Sequence, residues 1–405
     1  MVWWVDTDRY CVCRSKFFYH ETVVDILNDR IFQTTNIIYT LGNSSYDKYE
    51  LLSLVKSGVN IFNVDLTVHD ADHWQIIKEA INAFENLPQI FPVKYQCPVG
   101  LAVTITVNNN PEIDKSVDVV ILKDVKNLKE LLEFKRKHKN IAVPIMLWIA
   151  SSTIEDLKPM IQFTDGVLLD VIDHSSEEYY LNVIQFCKQA YKSVFFVISD
   201  IIKDYRSLAA DDLRVLAVGN KIIKHQVDGV MLLGSNNEQN KESQLVRSLV
   251  GAMDVMEIQT NRDFYELSLT IKTPVLPWIS ASLAASLAAK HSGASIIVVL
   301  TTRGMSARWI ASATPPCYVV AVTTRKDIAR RLHLHRKVVP IFYNQTYAAN
   351  WSLECWNRVV FATTVAVDVG LCPHGGTVVI LAPSDPDIRY CNSLQILSVP
   401  LKCEV

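Results

Sequence analysis

The stretch VDVVILKDVKNLKELLEFKRKHKNIAVPIMLWI, residues 117–149, contains one complete unit of the fold. It opens and closes with apolar runs, which are typical of strands that are buried on both faces. The charged segment between the runs predicts a helix, because its apolar residues recur at helical spacing. The residues predicted on its apolar side are Leu128, Leu131, Leu132 and Phe134. A strand, a helix and a second strand in this order favour a parallel pair joined by a crossover helix.

The same alternation recurs along most of the chain. Eight apolar runs occur, and charged amphipathic segments separate most of them. The runs are continuous rather than alternating, which favours parallel strands covered on both faces. Eight β/α units over this length predict a TIM (β/α)8 barrel. The predicted strands are 36–41, 60–66, 99–106, 117–122, 141–149, 165–171, 193–199 and 228–234.

A second pattern begins near Pro274. A helix rich in small residues leads into five further apolar runs, with helical segments between most of them. This pattern predicts a small open-sheet α/β C-terminal domain after the barrel. A length of 405 residues also favours more than one domain. We therefore predict an N-terminal arm at 1–35, the barrel at 36–255 and the C-terminal domain at 256–405.

One connection in the barrel is unusually short. Only VNNNPEIDKS, residues 107–116, lies between the third and fourth predicted strands. A parallel connection normally needs a dozen residues or more, most often as a helix. Either the strand assignment is wrong at this point or the chain lacks a segment here.

The composition excludes several classes of protein. A formal net charge of −2 gives no support for a nucleic-acid or membrane surface, and no apolar run reaches the length of a membrane span. The nine cysteines are scattered, with only Cys11 and Cys13 close together, so free thiols are favoured over a disulfide framework or a zinc site. The N-terminal residues lack a signal-peptide pattern, and we predict a cytoplasmic location.

Two long segments carry a family resemblance. NIIYTLGNSSYDKYELLSLVKSGVNIFNVDLT, residues 36–67, resembles the opening of the pyruvate kinase barrel. SIIVVLTTRGMSARWIASATPPCYVVAVTTRKDIARRLHLHRKVVPIFY, residues 295–343, resembles the C-terminal domain of that family even more closely. The resemblance implies transfer of a phosphoryl group from phosphoenolpyruvate to ADP with Mg²⁺ and K⁺, and assembly into oligomers. It also explains the short connection, since the family inserts a lid domain there and this chain lacks it near 107–116.

The resemblance places this chain's residues at the family's catalytic positions. Asn63, Asp65 and Thr67 stand where the family has an arginine, an asparagine and a serine that hold phosphate and K⁺. Trp148 stands where the family has the lysine that stabilises the transferring phosphoryl group, and Ala150 replaces a metal-binding glutamate. An indole cannot stabilise the negative charge of the transferring phosphoryl group, and a methyl group cannot bind a metal ion. Phosphoryl transfer depends on both cations and metal ligands.

The sixth and seventh strands complete this comparison. Asp173 aligns with the family's second metal-binding aspartate, so Asp173, Asp65 and Thr67 are the predicted remnants of a metal site. A solvated loop aspartate is the alternative reading of Asp173. Ile198 replaces a threonine that faces the substrate. We expect a largely neutral barrel mouth that suits an uncharged ligand; its predicted residues are Asn63, Thr104, Trp148, Ile198 and Asn236.

A loop of the predicted C-terminal domain is the other candidate site. Thr301, Arg303, Gly304 and Ser306 match a family loop that cradles a sugar-phosphate activator. A loop that leads into a helix N-terminus suits phosphate, because its N–H groups point at the anion. The segment APSDPDI, residues 382–388, brings acid to the same region and disfavours an anion. The alternative is a helix cap that binds nothing.

Two further clusters invite interpretation. The segment HLHRK, residues 333–337, predicts a solvated basic surface patch. The segment HDADHW, residues 69–74, could hold a metal, although an acidic helix start is the commoner reading.

The sequence leaves enzymatic activity open and favours a pyruvate-kinase-like protein that has lost catalysis and kept a binding or assembly role. We expect a homo-oligomer, or a hetero-oligomer with an active paralogue, and no nucleic-acid or membrane partner. An active pyruvate kinase is the first alternative, and a sensor of a phosphorylated metabolite is the second. Mg²⁺ and K⁺ are expected by resemblance only, and a chain that needs no cofactor is the alternative.

Overall fold

The computed structural model describes most of the chain. The described residues are 32–42, 48–68, 75, 78–79, 98–108, 113, 115–138, 143–149, 154–170, 177–198, 208–234, 239–259 and 274–400. They all belong to one compact unit, Phe32–Val405. None of the described helices is long and apolar enough to cross a bilayer.

Eight parallel strands close into a barrel, as the sequence predicts. Each strand pairs with the next, and the first pairs with the last through the partners Asn36 and Gly229. The strands are β1 Asn36–Thr40, β2 Ile61–Asp65, β3 Gly100–Thr106, β4 Val119–Lys123, β5 Ile145–Ile149, β6 Gly166–Asp170, β7 Ser193–Ile198 and β8 Gly229–Leu233.

The short third connection is real. β3 and β4 are parallel neighbours, with Ala102 paired to Val119. Only residues 107–118 join them, and the described part of that segment contains no helix. Of the two alternatives, a wrong strand assignment is excluded at this point, because both predicted strands are present and paired.

Helices cover the outside of the barrel. They are α1 Lys48–Ser57, α2 Leu128–Lys137, α3 Ile154–Gln162, α4 Glu177–Gln189, α5 Leu208–His225 and α6 Gln239–Gln259. In α2 the side chains of Leu131 and Phe134 are buried, and Leu128 packs against the same core. Leu132 is 36% exposed, so the prediction that it shares the buried side is wrong. It lies one position beyond Leu131, about 100° further around the helix, and faces away from the strands.

The strands separate two apolar layers. One fills the inside of the barrel with side chains such as Ile38, Met146 and Phe195, and the other packs the outer faces of the strands against the helices. Gly229 is required where β8 meets β1, since a Cβ atom there would lie 2.1 Å from Cε1 of Phe195 and 2.5 Å from the carbonyl oxygen of Asn36. The barrel is thus a packed core with its polar groups at the strand ends.

A second sheet forms the predicted C-terminal domain. Its strands are β9 Ile296–Leu300, β10 Tyr318–Thr323, β11 Val338–Phe342, β12 Thr377–Ala382 and β13 Ser393–Ser398. Their order is β11-β10-β9-β12-β13, parallel except for β13, which runs antiparallel to β12. Helices α7 Pro277–Ser292, α8 Met305–Ser312, α9 Lys326–Leu332 and α10 Trp351–Asp368 accompany it. Two apolar clusters, one on each face, enclose an open α/β sheet as predicted.

The segment HLHRK lies between the two domains rather than on the surface. The His333 ring donates from Nε2 to the carbonyl oxygen of Pro98, at 3.1 Å. Arg336 donates to Oγ1 of Thr35 at 2.7 Å and forms an ion pair with Glu257. The prediction of a solvated patch is therefore wrong. The charges are buried because each one meets a partner on the amino-terminal side of the barrel.

The predicted domain bounds remain predictions. Helix α6 continues through the proposed boundary at 255 and ends at Gln259. Phe32, within the proposed arm, packs into an apolar cluster of the second sheet.

Candidate functional site

The carboxyl ends of the barrel strands form the first candidate site, which we call the barrel mouth. Its described side chains come from the ends of β1 to β6. In barrels of this kind, ligands bind at this end because the loops that follow the strands surround it. The polar groups there lie in three small clusters, each of which is bonded internally.

Asn63 is the centre of the first cluster. Its side chain is fully buried, its Nδ2 donates to Oγ1 of Thr40 at 3.0 Å, and its Oδ1 accepts from Oγ1 of Thr104 at 3.1 Å. The amide therefore ties three neighbouring strands together. It offers no charge to a ligand, because it is neutral and its described bonds all lie inside the barrel.

Asp65 and Thr67 form the second cluster. The carboxylate oxygen Oδ1 of Asp65 accepts from the backbone N–H of Thr67 at 2.9 Å and from its hydroxyl at 2.5 Å. The structure does bring these two predicted metal ligands together. Their contact is a side-chain turn that closes the end of β2, in which Asp65 stabilises its own backbone.

Trp148 anchors the third cluster, on β5. Its indole N–H donates to Oδ2 of Asp170, at the end of β6, at 3.1 Å. Nζ of Lys123, at the end of β4, lies 4.6 Å from the centroid of the indole ring. A cation over an aromatic face is stabilised by the ring's quadrupole. Trp148 is nearly buried, so the position that the resemblance assigns to a cation holds a neutral ring between a lysine and a carboxylate.

Lys123 and Asp170 were missed by reasoning from the sequence. The resemblance points only to the catalytic and metal-binding positions of the family, and Lys123 and Asp170 are not among the positions that it gives. Both are the last residues of their strands, in VVILK and GVLLD. That placement at the carboxyl end of a barrel strand is a signal that would have found them.

Ile198 does not line the barrel mouth as expected. It packs in the outer apolar layer together with Val194 and Phe196, whereas Phe195 and Val197 face the interior. The strand period of two explains the correction, since successive side chains point to opposite faces. Ala150, Asp173 and Asn236 lie outside the described residues, as do Cys11, Cys13 and the segment 69–74.

The described residues hold no ready metal site. Among them, no group of three or more histidine, cysteine, aspartate or glutamate side chains is placed to bind an ion. Asp65 is committed to Thr67, and Asp170 accepts from the indole of Trp148. The described donors do not fit the Mg²⁺ site that the resemblance implies, because Mg²⁺ asks for carboxylate or phosphate oxygens in near-octahedral geometry.

The loop between β9 and α8 is the second candidate site. Oγ1 of Thr301 accepts from the backbone N–H of Gly304 at 3.0 Å, as the cap interpretation expects. Gly304 has a φ of 79°, which a residue with a Cβ rarely adopts, and α8 begins directly after it. Ser306 is buried and bonded to Cys391, whose pKa burial raises to about 11, with the Ser306 bond opposing that rise. Thr301 thus serves the loop itself, whereas Ser306 bonds a residue outside the loop.

Arg303 differs from the other predicted loop residues because it is exposed. It borders a cavity of about 290 Å³ that lies at the amino-terminal end of the barrel, opposite the barrel mouth. Pro144 and Asp165, which precede β5 and β6, form the barrel side of this cavity. We call it the interdomain cavity. The acidic segment at 382–388 contributes nothing to its lining, and Asp385 bonds the backbone N–H of Asp387 at 3.0 Å.

Comparison with known proteins gives one consistent result. Residues 280–397 match the family model described as the pyruvate kinase alpha/beta domain. The pyruvate kinase of Candida albicans is 30% identical over 182 residues, which is 44% of this chain and 36% of that protein. The pyruvate kinase of Hypocrea jecorina is 26% identical over 307 residues, or 72% of this chain and 56% of that protein. The chain thus spans between about a third and just over half of the length of these two relatives.

Proposed function

We propose that this chain, whose residues 280–397 match the pyruvate kinase alpha/beta domain, keeps the pyruvate kinase fold, has lost efficient phosphoryl transfer, and serves a binding or assembly role. The reaction in question moves the phosphoryl group of phosphoenolpyruvate to ADP. This chain spans only part of the length of the two pyruvate kinases, so the proposal applies to the residues of this chain and not to a whole pyruvate kinase.

The observation that carries the proposal is the environment of Trp148. Phosphoryl transfer needs cations aimed at the transferring group, and little else from the protein. The indole at this position is neutral, and its only polar hydrogen is donated to Asp170. Losing one preorganised electrostatic contact slows a reaction by roughly a hundred- to a thousand-fold. Asn63, the position aligned with a family arginine, is also neutral and is bonded within the barrel.

The described residues offer no metal site that could replace the positive charge missing at Asn63 and Trp148. Asp65 and Thr67 bond each other, and the donors around them do not fit Mg²⁺.

Lys123 supports the alternative that the chain is an active pyruvate kinase. Its ammonium group is a cation at the barrel mouth, on the strand next to Trp148. In this alternative, Lys123 would replace the family's lysine from a different strand. Asp170 weighs against it, because a carboxylate bonded to the same indole offsets positive charge near the transferring group.

A coupled lactate dehydrogenase assay tests the proposal. The chain is supplied with saturating phosphoenolpyruvate, ADP, Mg²⁺ and K⁺, with the Hypocrea jecorina pyruvate kinase as positive control. We expect a rate at background for this chain and for its Lys123→Met variant. A rate near that of the control, lost in the Lys123→Met variant, would overturn the proposal and establish the alternative.

We further propose that the chain assembles with itself or with an active paralogue, in the cytoplasm. Helix α10 exposes Leu353, Trp356 and Val360, which recur at helical spacing along one side. An apolar stripe of this kind is often covered by a partner. Light scattering of the chain alone, and mixed with an active pyruvate kinase, should give a mass above the monomer. A monomer in both samples would contradict assembly.

Sensing of a phosphorylated metabolite is the second candidate function. Arg303 supports it, because an exposed guanidinium beside a helix N-terminus favours anions. Thr301 and Ser306 weaken the version in which the loop itself cradles the phosphate, since both are buried. A rise in melting temperature with sugar phosphates would support sensing, because only ligands that bind the folded state raise it.

A further inference from the structure

A repeated contact closes the amino-terminal end of the barrel. In each of four places, the residue that directly precedes an even-numbered strand accepts, through a side-chain oxygen, the N–H of a residue at the start of the strand before it. The pairs and their N–O distances are Asn60 with Ile37 at 2.8 Å, Asp118 with Leu101 at 3.0 Å, Asp165 with Ile145 at 3.1 Å and Asp228 with Val194 at 2.9 Å. In every pair the backbone N–H of the first residue also donates to the carbonyl oxygen of the second. We call Asn60, Asp118, Asp165 and Asp228 the strand caps.

Asn60 shows that a strand cap needs no charge. Its amide oxygen accepts the N–H of Ile37, and it also accepts from Nε2 of Gln33 at 2.9 Å. A carboxylate is harder to remove from water than an amide, and it is stable inside a protein only when it is paired. The carboxylates of the other three strand caps therefore serve something besides the strands.

Arginines of the second domain meet all three carboxylates. The contacts are Nη1 of Arg330 at 3.9 Å from Oδ2 of Asp118, Nη1 of Arg308 at 3.8 Å from Oδ1 of Asp165, and the backbone N–H of Arg336, which donates to Oδ1 of Asp228 at 3.0 Å. The side chains of Arg308 and Arg330 are only 14% and 17% exposed, so these charges are screened less than surface pairs are. The three contacts lie before β4, β6 and β8, and thus alternate around the barrel.

Two further observations concern the same groups. Nε of Arg308 donates to the carbonyl oxygen of Tyr191, in the segment before β7, so this arginine contacts two neighbouring segments of the barrel. Burial raises the pKa of the Asp228 carboxyl, while the charge of Lys188, two backbone N–H groups and the charge of Arg336 oppose the rise. The second domain thus supplies part of the positive charge that stabilises this carboxylate.

We propose that Asp118, Asp165 and Asp228 form a docking latch, in which the same carboxylates close strand pairs of the barrel and hold the second domain against them. The charge of the latch serves the domain, whereas a strand cap needs only a neutral acceptor, as at Asn60. The latch is therefore a conformational device of the fold, because the second domain can loosen while the barrel stays closed.

This inference goes beyond the proposed function. The latch lies at the amino-terminal end of the barrel, opposite the barrel mouth, so it stands whether or not the chain transfers phosphoryl groups. Its tests use no substrate and no metal ion, and its failure would leave the result of the coupled assay unchanged.

Hydrogen exchange with mass spectrometry tests the latch in a variant that carries Asp118→Asn, Asp165→Asn and Asp228→Asn together. Asparagine keeps the acceptor, so peptides that contain the starts of β3, β5 and β7 should stay protected. We expect peptides of α8 and α9 to exchange about tenfold faster or more, because three partly buried contacts lose their charge. Loss of protection at the strand starts would show that the charge serves the strands and would overturn the proposal. Unchanged exchange in α8 and α9 would overturn it as well.

Asp385→Asn is the matched control. Asp385 is an exposed aspartate of the second domain, and its carboxylate also accepts a backbone N–H, that of Asp387 at 3.0 Å. The same substitution at this position should leave the exchange of α8 and α9 unchanged. An acceleration as large as that of the triple variant would be a general effect of lost charge and would contradict a specific latch.

A double-mutant cycle tests one contact without relying on the triple variant. Asp165→Asn and Arg308→Gln are made singly and together, and the midpoints of denaturant unfolding are compared. Because the two side chains interact, the double variant should shift the midpoint by less than the sum of the two single shifts. Shifts that simply add would show that Asp165 and Arg308 act independently, and would overturn the latch.

Discussion

Single residues at the barrel mouth are bonded to one another rather than presented to a ligand. Asn63 joins Thr40 to Thr104, and the carboxylate of Asp65 closes a turn with Thr67. By resemblance, the position of Asn63 holds an arginine in a family that moves phosphoryl groups, and that reaction needs positive charge. Here the same positions stabilise the barrel, and that difference motivates the functional proposal.

The bond between Trp148 and Asp170 can be tested by replacement with phenylalanine. Trp148→Phe keeps an aromatic ring and removes the indole N–H that Asp170 accepts. We expect the free energy of unfolding to fall by about 1–3 kcal/mol, because the bond is to a charged group. Denaturant titration measures the change. Asp170→Asn keeps an acceptor for the indole N–H, so its free energy of unfolding should fall less than that of Trp148→Phe. An equal fall in both variants would contradict this, and would show that the charge of Asp170 matters more than the hydrogen bond.

His333 predicts how stability depends on pH. Burial lowers the pKa of His333 to about 4, although its bond to Pro98 opposes the shift. The unfolded chain takes up a proton near pH 6.5 and the folded chain does not until about pH 4, so stability falls as the pH drops through this window.

The matching variant is His333→Gln, whose side-chain amide can still donate to the carbonyl oxygen of Pro98. We expect the variant to lose about 2–3 kcal/mol less stability than the parent chain between pH 6.5 and pH 4. Above pH 7 its pH dependence should run parallel to that of the parent. Identical curves for both proteins throughout the acid range would contradict the role assigned to His333.

Residue orientation was only partly predictable from the sequence. The run SVFFVI identifies β7, but because every position after Ser193 is apolar it does not tell which side chains face inward. Ile198 was therefore assigned to the wrong face. Lys123 and Asp170 were overlooked because the resemblance directed attention to other positions. Their strand-end placement carried the missing information.

At the scale of elements, strand existence was predicted better than strand bounds. All thirteen predicted strands are present, because buried parallel strands leave unmistakable apolar runs. The predicted run at 141–149 shortens to Ile145–Ile149, since Pro144 lacks the N–H that a ladder position needs. Helix α2 followed its apolar spacing except at Leu132.

Two glycines give an element-scale prediction with a matched pair. Gly229→Ala should lower the free energy of unfolding by about 3 kcal/mol or more, because the new Cβ meets a backbone oxygen as well as Phe195. In Gly370→Ala, the new Cβ has no atom within 4 Å, and the only cost is a φ of 75°. We therefore expect the free energy of unfolding to fall by only about 1–2 kcal/mol. Thermal and denaturant melts of both variants check the order. Equal losses would contradict the close contact that closes β1 against β8.

At the scale of the whole molecule, the junction between the two domains is the feature that local sequence could not predict. The segment 333–337 looks like a solvated patch, yet its partners Pro98, Asp228 and Glu257 lie far away in sequence. The interdomain cavity is unpredictable for the same reason, because its walls come from segments spread between Val143 and His335.

Arg336 offers a test of the junction. Arg336→Met removes its bonds to Thr35 and to the carbonyl oxygen of Val227, and leaves Glu257 without its main partner. We expect the free energy of unfolding to fall by about 3–5 kcal/mol, as it does when one partner of a buried ion pair is removed. Arg325→Met is the control, since the Arg325–Asp327 pair is largely exposed and should contribute less than about 1 kcal/mol. Differential scanning calorimetry compares them, and a small effect of Arg336→Met would contradict a tightly held junction.

We propose that the barrel mouth of this chain does not support phosphoryl transfer. The most direct measurement is ³¹P nuclear magnetic resonance of phosphoenolpyruvate and ADP with Mg²⁺ and K⁺, at a protein concentration comparable to that of the substrates. It needs no coupling enzyme and detects even slow turnover. We expect spectra that match those of a protein-free sample over many hours. Growth of ATP signals in proportion to the protein concentration would contradict it.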